Sequence, residues 1–333
     1  MANKPHWIRS ATEYAGLLVV LAGLIGLFGL LSDHFLSAIT FRTLANQIPP
    51  LVVVAIGMTF VLSIAGIDLS VGSVLALSSA VLGVLLVQAG WPLWLCIFAC
   101  MGTGLLCGLL NGFVSEHWRI PSFIVTLGML EIARGGAYLT TASQTQYVGA
   151  AIAGIGTPGF LGLSPTFYIA VLLVIIGQVV LKRTVFGRYM VATGLNPEAA
   201  RLSGINLSQV RVAVFAIAGL LCGIGGVFQT AYLESVDPNA GIGMELAAIA
   251  AVVIGGTSLM GGHASVVNSF IGVLIIAVLQ TGLAQIGADE PTKRMVTGGV
   301  IVLAVIADAY RQRMAGQRFS LWKLFQRPDA SKA

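Results

Sequence analysis

Charge is scarce in this chain. Its 333 residues hold 18 Lys+Arg and 13 Asp+Glu, so 9% are charged, where a soluble domain carries roughly a quarter. Four histidines and four cysteines leave little for metal or acid–base chemistry, and no Cys/His cluster has zinc-ligand spacing. Cys96, Cys100, Cys107 and Cys222 all sit inside apolar runs, where cysteine acts as a small hydrophobe. No G-x-x-x-x-G-K-[ST] loop occurs, and "GGTSLMGG" has no lysine to reach a phosphate. Nothing resembles a nucleophile–base pair. Catalysis within this chain, including ATP hydrolysis, is therefore not expected, and neither is a cofactor or metal. The formal charge of +5 gathers in particular loops, which argues against a nucleic-acid partner.

What is present is apolar sequence: 57% hydrophobic residues and a mean hydropathy of +0.92. A helix crossing a bilayer needs ~20 mainly apolar residues, whereas a secretory signal has one short apolar core. The runs predict ten spans at about 14–31, 45–64, 69–88, 93–114, 121–140, 166–182, 210–232, 244–256, 265–285 and 294–309. The fold class is all-α: a polytopic membrane protein with some broken helices, in contact with lipid. Pro49–Pro50 predict a break in the second span, because proline lacks the N–H and clashes with the preceding turn. The eighth span is short, and an irregular segment is expected after it. The outer stretch 141–164 reads as a surface loop.

Lysine and arginine favour the cytoplasmic loops. An N-terminus inside collects Lys4, Arg9, Arg119, Lys182, Arg183, Arg188, Arg201 and Arg211 on one side, with the basic tail at 311–333. The other side carries Asp33, Glu234, Asp237, Asp289 and Glu290. Both termini are thus expected in the cytoplasm. The organisation is an N-terminal segment at 1–13, a membrane domain at 14–310 and the tail at 311–333.

The largest inner connection, 183–209, contains "GLNPEAARLSG". Asn196 suits an N-cap and Pro197 the first helical position. Glu198 suits the positive end of the helix dipole, and Gly204 is a natural stop. Asn196, Pro197, Glu198, Ala199, Ala200, Arg201, Leu202, Ser203 and Gly204 thus predict a helix of about two turns, too short to cross lipid. It reads as a docking element for a cytoplasmic partner or as a helix resting on headgroups.

"GRYMVATGLNPEAARLSGIN" resembles the cytoplasmic coupling segment of bacterial ATP-binding-cassette importer permeases of the ribose/xylose/arabinose/galactose class, which includes the autoinducer-2 importer. "AIGMTFVLSIAGIDLSVGSVLAL", "IPSFIVTLGMLEIARGGAYLTT" and "ELAAIAAVVIGGTSLMGG" match in the same order, over about residues 14–310. The resemblance implies a bacterial inner-membrane permease with about ten helices. Its partners would be a second permease subunit (identical or paralogous), a cytoplasmic ATPase carrying MgATP, and a periplasmic sugar-binding protein. It implies that residues 196–205 insert into a groove on the ATPase. The cargo would be a monosaccharide, foremost ribose or another pentose. Where relatives commonly carry an acid, this chain has Ala247. A proton-coupled sugar transporter using Asp68 or Glu131, the same importer role for another small polar solute such as autoinducer-2, or a membrane scaffold, is the alternative.

Ionisable residues inside spans usually face a bundle interior or cavity. In "GIDLSVGS" (66–73), Asp68 reads as the N-cap of the next helix or as a pathway residue, with Gly66, Ser70 and Gly72 beside it. Glu131 and Arg134 stand at i, i+3 and predict a pair, with a substrate role as the alternative. Glu245 reads as a first-turn charge or an outer-mouth residue. Gly255 and Gly256, with Gly261 and Gly262, suit close helix approach or a flexible turn.

Overall fold

The structure is a computed structural model that describes residues 6–306, with side chains from residue 15 onward. The side chains of Lys4 and Arg9 and the tail at 311–333 lie outside the described residues. The chain begins with α1 (His6–Leu31), α2 (Ala38–Gln47), α3 (Pro49–Ser63), α4 (Val71–Val87), α5 (Leu93–His117) and α6 (Ser122–Thr140). Strand β1 (Gln146–Tyr147), α7 (Ala150–Gly156) and a 3-10 turn (Phe160–Gly162) follow. Then come α8 (Pro165–Arg183), α9 (Val185–Leu195), α10 (Pro197–Leu202), α11 (Leu207–Leu233), β2 (Ser235–Val236), α12 (Met244–Ile254) and α13 (Val266–Gln285). Helix α14 covers 290–306.

Within the described residues, helices occupy each of the ten apolar segments. Among the described residues, α5, α8, α11 and α13 are long and apolar enough to cross a membrane by themselves. Helices α2 and α3 form a fifth such unit, bent by 49°. The bend falls at Ile48, where Pro49 and Pro50 open α3 and remove N–H donors. Helices α4 and α12 are shorter, with 17 and 11 residues. Short helices are stable in lipid when neighbours surround them. Helix α3 is the extreme case of such enclosure: all but one of its residues are buried. It packs against α8, α11, α12 and α13.

The closest helix pair is α5 with α11, and glycine makes it possible. Gly104, Gly108 and Gly112 form a ladder at i, i+4, i+8 on α5. A Cβ on Gly108 would meet the Phe215 carbonyl and lie 3.0 Å from Gly219 Cα. In lipid, where apolar surface alone gives helices no preference for one another, such backbone contact drives association. The four cysteines are buried and free, and the Cys100 thiol donates to the Gly223 carbonyl within this same contact.

The stretch 141–164 corrects the surface-loop expectation. Strand β1 pairs antiparallel with β2, Gln146 opposite Val236 and Tyr147 opposite Ser235. Backbone N–H groups of Val148 and Gly149 both reach the Glu234 carbonyl. Asn46 ties the end of this stretch to α2, donating to the Gly162 carbonyl and accepting from the Ser164 N–H. The cap thus closes the end of the bundle that carries Glu234 and Asp237.

Candidate functional site

The opposite end carries α10. Asn196 Oδ1 accepts the Ala199 N–H at 3.0 Å, and Pro197 stands at the first helical position. Gly204 adopts φ +84°, and the Ile205 N–H closes onto the Ala200 carbonyl at 3.1 Å, six residues to one. That is a Schellman stop. Both ends of this six-residue helix are therefore tied by its own residues. Ala200 faces inward, while Pro197, Glu198, Ala199, Arg201, Leu202 and Ser203 are exposed. Two large apolar side chains protrude from this segment: Leu195 is 69% exposed and Leu202 80%. Asn206 then caps α11 by accepting the Gln209 N–H.

This segment reaches the broken helix through glycine. Gly194 in α9 lies so close to the Ser63 carbonyl that a Cβ there would collide with it and with Gly262 N. The Gly262 N–H donates to the same Ser63 carbonyl at 2.9 Å. Gly261, at φ +82°, leaves no room for a Cβ beside Ala65 N. The end of α3, the α9–α10 segment and the α12–α13 connection thus meet backbone to backbone. A displacement of α10 has no soft side chain in its path to α3.

A cavity of about 890 Å³ opens at the same end, lined by residues 64–66, the α5–α6 turn and the start of α11. Arg119, Arg201 and Arg211 line it together. Arg211 pairs with Glu116 at 3.0 Å, and the other two make no ion pair among the described residues. Arg119 of the α5–α6 turn, Arg201 of α10 and Arg211 of α11 thus share one end of the bundle.

Between α3 and α4 the chain is extended, and Asp68 sits there 2% exposed. The expectation that Asp68 is the N-cap of α4 is met only in part: the cap position is Ser70, whose side chain makes no cap bond. Asp68 Oδ1 instead accepts both the Ser70 N–H at 2.9 Å and the Ser70 hydroxyl at 2.6 Å. Asn111 Nδ2 of α5 donates to Ser70 Oγ at 3.0 Å, extending the chain of bonds into the glycine ladder. From α6, Ser122 and Thr126 accept the N–H groups of Ile67 and Leu69. The freed N–H groups of Ile67, Leu69 and Ser70 thus find side-chain acceptors, the kind of satisfaction an interrupted helix in a membrane requires. Gly66 and Gly72 flank the network. A Cβ on Gly72 would strike the Gly241 carbonyl and approach Glu245 Oε2 at 2.7 Å. Ser70, Asn111, Ser122 and Thr126 are polar residues in apolar helices, and that contrast was the available signal for the three beyond Ser70.

The Glu131–Arg134 pair does not form. Arg134 Nη1 donates to the carbonyls of Pro238 at 2.6 Å and Ala240 at 2.9 Å, leaving Glu131 without a direct ion pair among the described residues. The loop 237–243 presents unpaired carbonyls to α6, which the spacing of two residues on one helix could not reveal. Glu245 is in the first turn of α12, and its Oε1 accepts the Gly243 N–H at 3.2 Å. Gly255 packs against the Asn268 backbone, and Gly256 turns at φ +84°. Among the described residues, no group of three or more His, Cys, Asp or Glu is placed to hold a metal.

Residues 40–305 match a family model described as "Branched-chain amino acid transport system / permease component". The fructose import permease of Rhizobium meliloti is 34% identical over 319 residues, covering 93% of this chain and 89% of its own. The ribose import permease of Haemophilus influenzae is 37% identical over 297 residues, covering 88% and 92%. The L-arabinose permease of Azospirillum brasilense is 32% identical over 299 residues, covering 90% and 88%. A helical bundle with a broken central helix, a capped terminal helix and these similarities lead to one assignment: the chain belongs to this family of transport-system permease components.

Proposed function

We propose that the chain is the membrane-spanning subunit of an ATP-binding-cassette importer for a monosaccharide, foremost a pentose such as ribose. The observation that carries this reading is α10. It is capped at both ends and exposes Leu202, beside the likewise exposed Leu195 at the end of α9. Its neighbour α9 bears on α3 through Gly194. A helix with this shape suits a groove on a cytoplasmic ATPase, which would hold MgATP. Closure of the ATPase would push α10, and α9 would pass the push to Ser63–Ala65, where the broken helix ends. Such an element has two arrangements that both partners bias. A periplasmic binding protein would deliver the sugar to the opposite, acidic end. A second permease subunit, identical or paralogous, would complete the pathway. The setting is a bacterial inner membrane with both termini in the cytoplasm.

The test is reconstitution of the permease in liposomes with its ATPase and binding protein. Glu198→Lys and Arg201→Glu should leave membrane assembly intact while uncoupling ATP hydrolysis from uptake. Equal coupling in both variants would remove the docking role. Uptake driven by a pH gradient with no ATPase present would overturn the importer reading in favour of a secondary transporter.

A further inference from the structure

Helix α6 has the length of a span but not the apolarity: it holds 19 residues, and it is absent from the helices able to cross lipid alone. It packs mainly on α4 and α5, using buried Thr126, Ala133 and Ala137. Its remaining residues are half-buried or exposed, and Glu131 lies on the exposed face. Glu131 is its tenth residue, ~14 Å from either end at ~1.5 Å per residue. The side chain is exposed and makes no hydrogen bond or ion pair among the described residues. A bare carboxylate at mid-span is not stable against lipid tails. It requires water, a polar solute or another protein surface.

The surroundings favour a solute. Gly128 and Gly135 lie at i−3 and i+4, and a Cβ on either would meet nothing within 4 Å. They leave a shallow trough on each side of the carboxylate. Tyr138, at i+7 on the same stripe, donates its hydroxyl to Asn239 Oδ1 at 2.6 Å, beside Asp237. Tyr138 and Glu131 thus stand on one stripe of α6 with Gly135 between them, leading from the acidic end to the middle of the helix. Arg134 makes its hydrogen bonds to the Pro238 and Ala240 carbonyls, so its charge acts on Glu131 only from a distance and leaves both carboxylate oxygens free of a direct donor.

We infer that Glu131 contacts the transported solute, accepting hydrogen bonds from hydroxyl groups of a neutral polyol as it passes along the α6 trough. This rests on the importer reading above, with the second permease subunit closing the trough. A carboxylate accepts through two oxygens and repels anionic solutes, so it selects neutral, hydroxyl-rich cargo. Hydrogen bonds to charged groups contribute about 1.5–3 kcal/mol, which corresponds to a ~10–100-fold effect on transport.

The experiment uses the reconstituted complex. Glu131→Leu should lower the uptake efficiency for the sugar by at least tenfold, with binding-protein-stimulated ATP hydrolysis retained. Glu131→Gln, which keeps one acceptor oxygen, should fall between. In a second measurement, Glu131→Cys should react with a charged, water-soluble thiol reagent, and sugar should slow that reaction. Phe98→Cys, on the exposed apolar face of α5, should not react. The native cysteines are buried and give little background. Wild-type uptake by Glu131→Leu, or a Glu131→Cys thiol as inert as that of Phe98→Cys, would overturn the inference. If the unaltered complex imports no monosaccharide at all, the importer reading itself fails, a separate outcome.

Discussion

Replacing Gly108 with alanine isolates the physical term that holds α5 to α11. The new Cβ would occupy the space of the Phe215 carbonyl and stand 3.0 Å from Gly219 Cα. Ordinary contact between carbon atoms is ~3.5–4.0 Å, so the helices must separate by most of an ångström. A crossing of this kind has on the order of 30 atom pairs worth ~0.15 kcal/mol each, and such a gap forfeits a quarter to a half of each well. The loss is about 1–2 kcal/mol, within the ~1–3 kcal/mol range for overpacking. Alanine also favours the helix over glycine by ~1 kcal/mol, which would mask part of the effect. Gly102→Ala on the same helix removes the ambiguity, because a Cβ there meets nothing within 4 Å. The difference between the two variants cancels the helix term and leaves packing. Equilibrium unfolding in mixed detergent should place Gly108→Ala about 1–2 kcal/mol below Gly102→Ala. Equal stability of the two variants would refute the idea that backbone contact at the glycine ladder sets this pair.

At Asp68, asparagine keeps an Oδ1 able to accept both Ser70 bonds, whereas alanine removes them. Asp68→Ala should lose about 1–3 kcal/mol in the same unfolding assay, while Asp68→Asn stays within ~1 kcal/mol of wild type. Asn196→Ala deletes the N-cap of α10 and should cost about 1 kcal/mol locally, read as faster amide exchange at Ala199. Asp289 Oδ1 accepts the Thr292 N–H at 3.1 Å at the start of α14, and hydrogen bonds from Thr292 hold its carboxyl below the usual value of 3.8. A depressed carboxylate stabilises above its unfolded pKa, and the contribution is lost as pH falls through the lower folded value. Amide protection at Thr292 should therefore drop on acidification below pH 3.8, and Asp289→Asn should abolish that dependence.

Much of the architecture is legible in the chain itself, because lipid imposes a simple rule: each span must be apolar and must satisfy its own backbone. The ten apolar segments are helical in the structure, and Pro49–Pro50 mark the bend. Asn196, Pro197 and Gly204 delimit α10, since capping is local chemistry set by residues three or four apart. The glycine ladder of α5 is also written in the sequence, as Gly104, Gly108 and Gly112, although repeated glycine spacing does not reveal its partner. Long-range pairing was hidden. Glu131 and Arg134 stand at the right distance on one helix, yet carbonyls more than a hundred residues away capture the arginine. Asp68 has the identity of a cap, but the turn geometry makes Ser70 the cap and Asp68 its anchor. The ribbon of β1 with β2 joins segments about ninety residues apart that show no strand pattern in two residues each.

The sequence alone determined that the chain is a multi-pass membrane protein, where its long apolar helices lie, and where α10 starts and stops. These follow from composition and from interactions within one turn of helix. The tertiary structure decided which polar groups are satisfied and which are left over. That depends on how helices distant in sequence approach one another, and it is why Arg134 is held by the Pro238 and Ala240 carbonyls while Glu131 makes no direct ion pair.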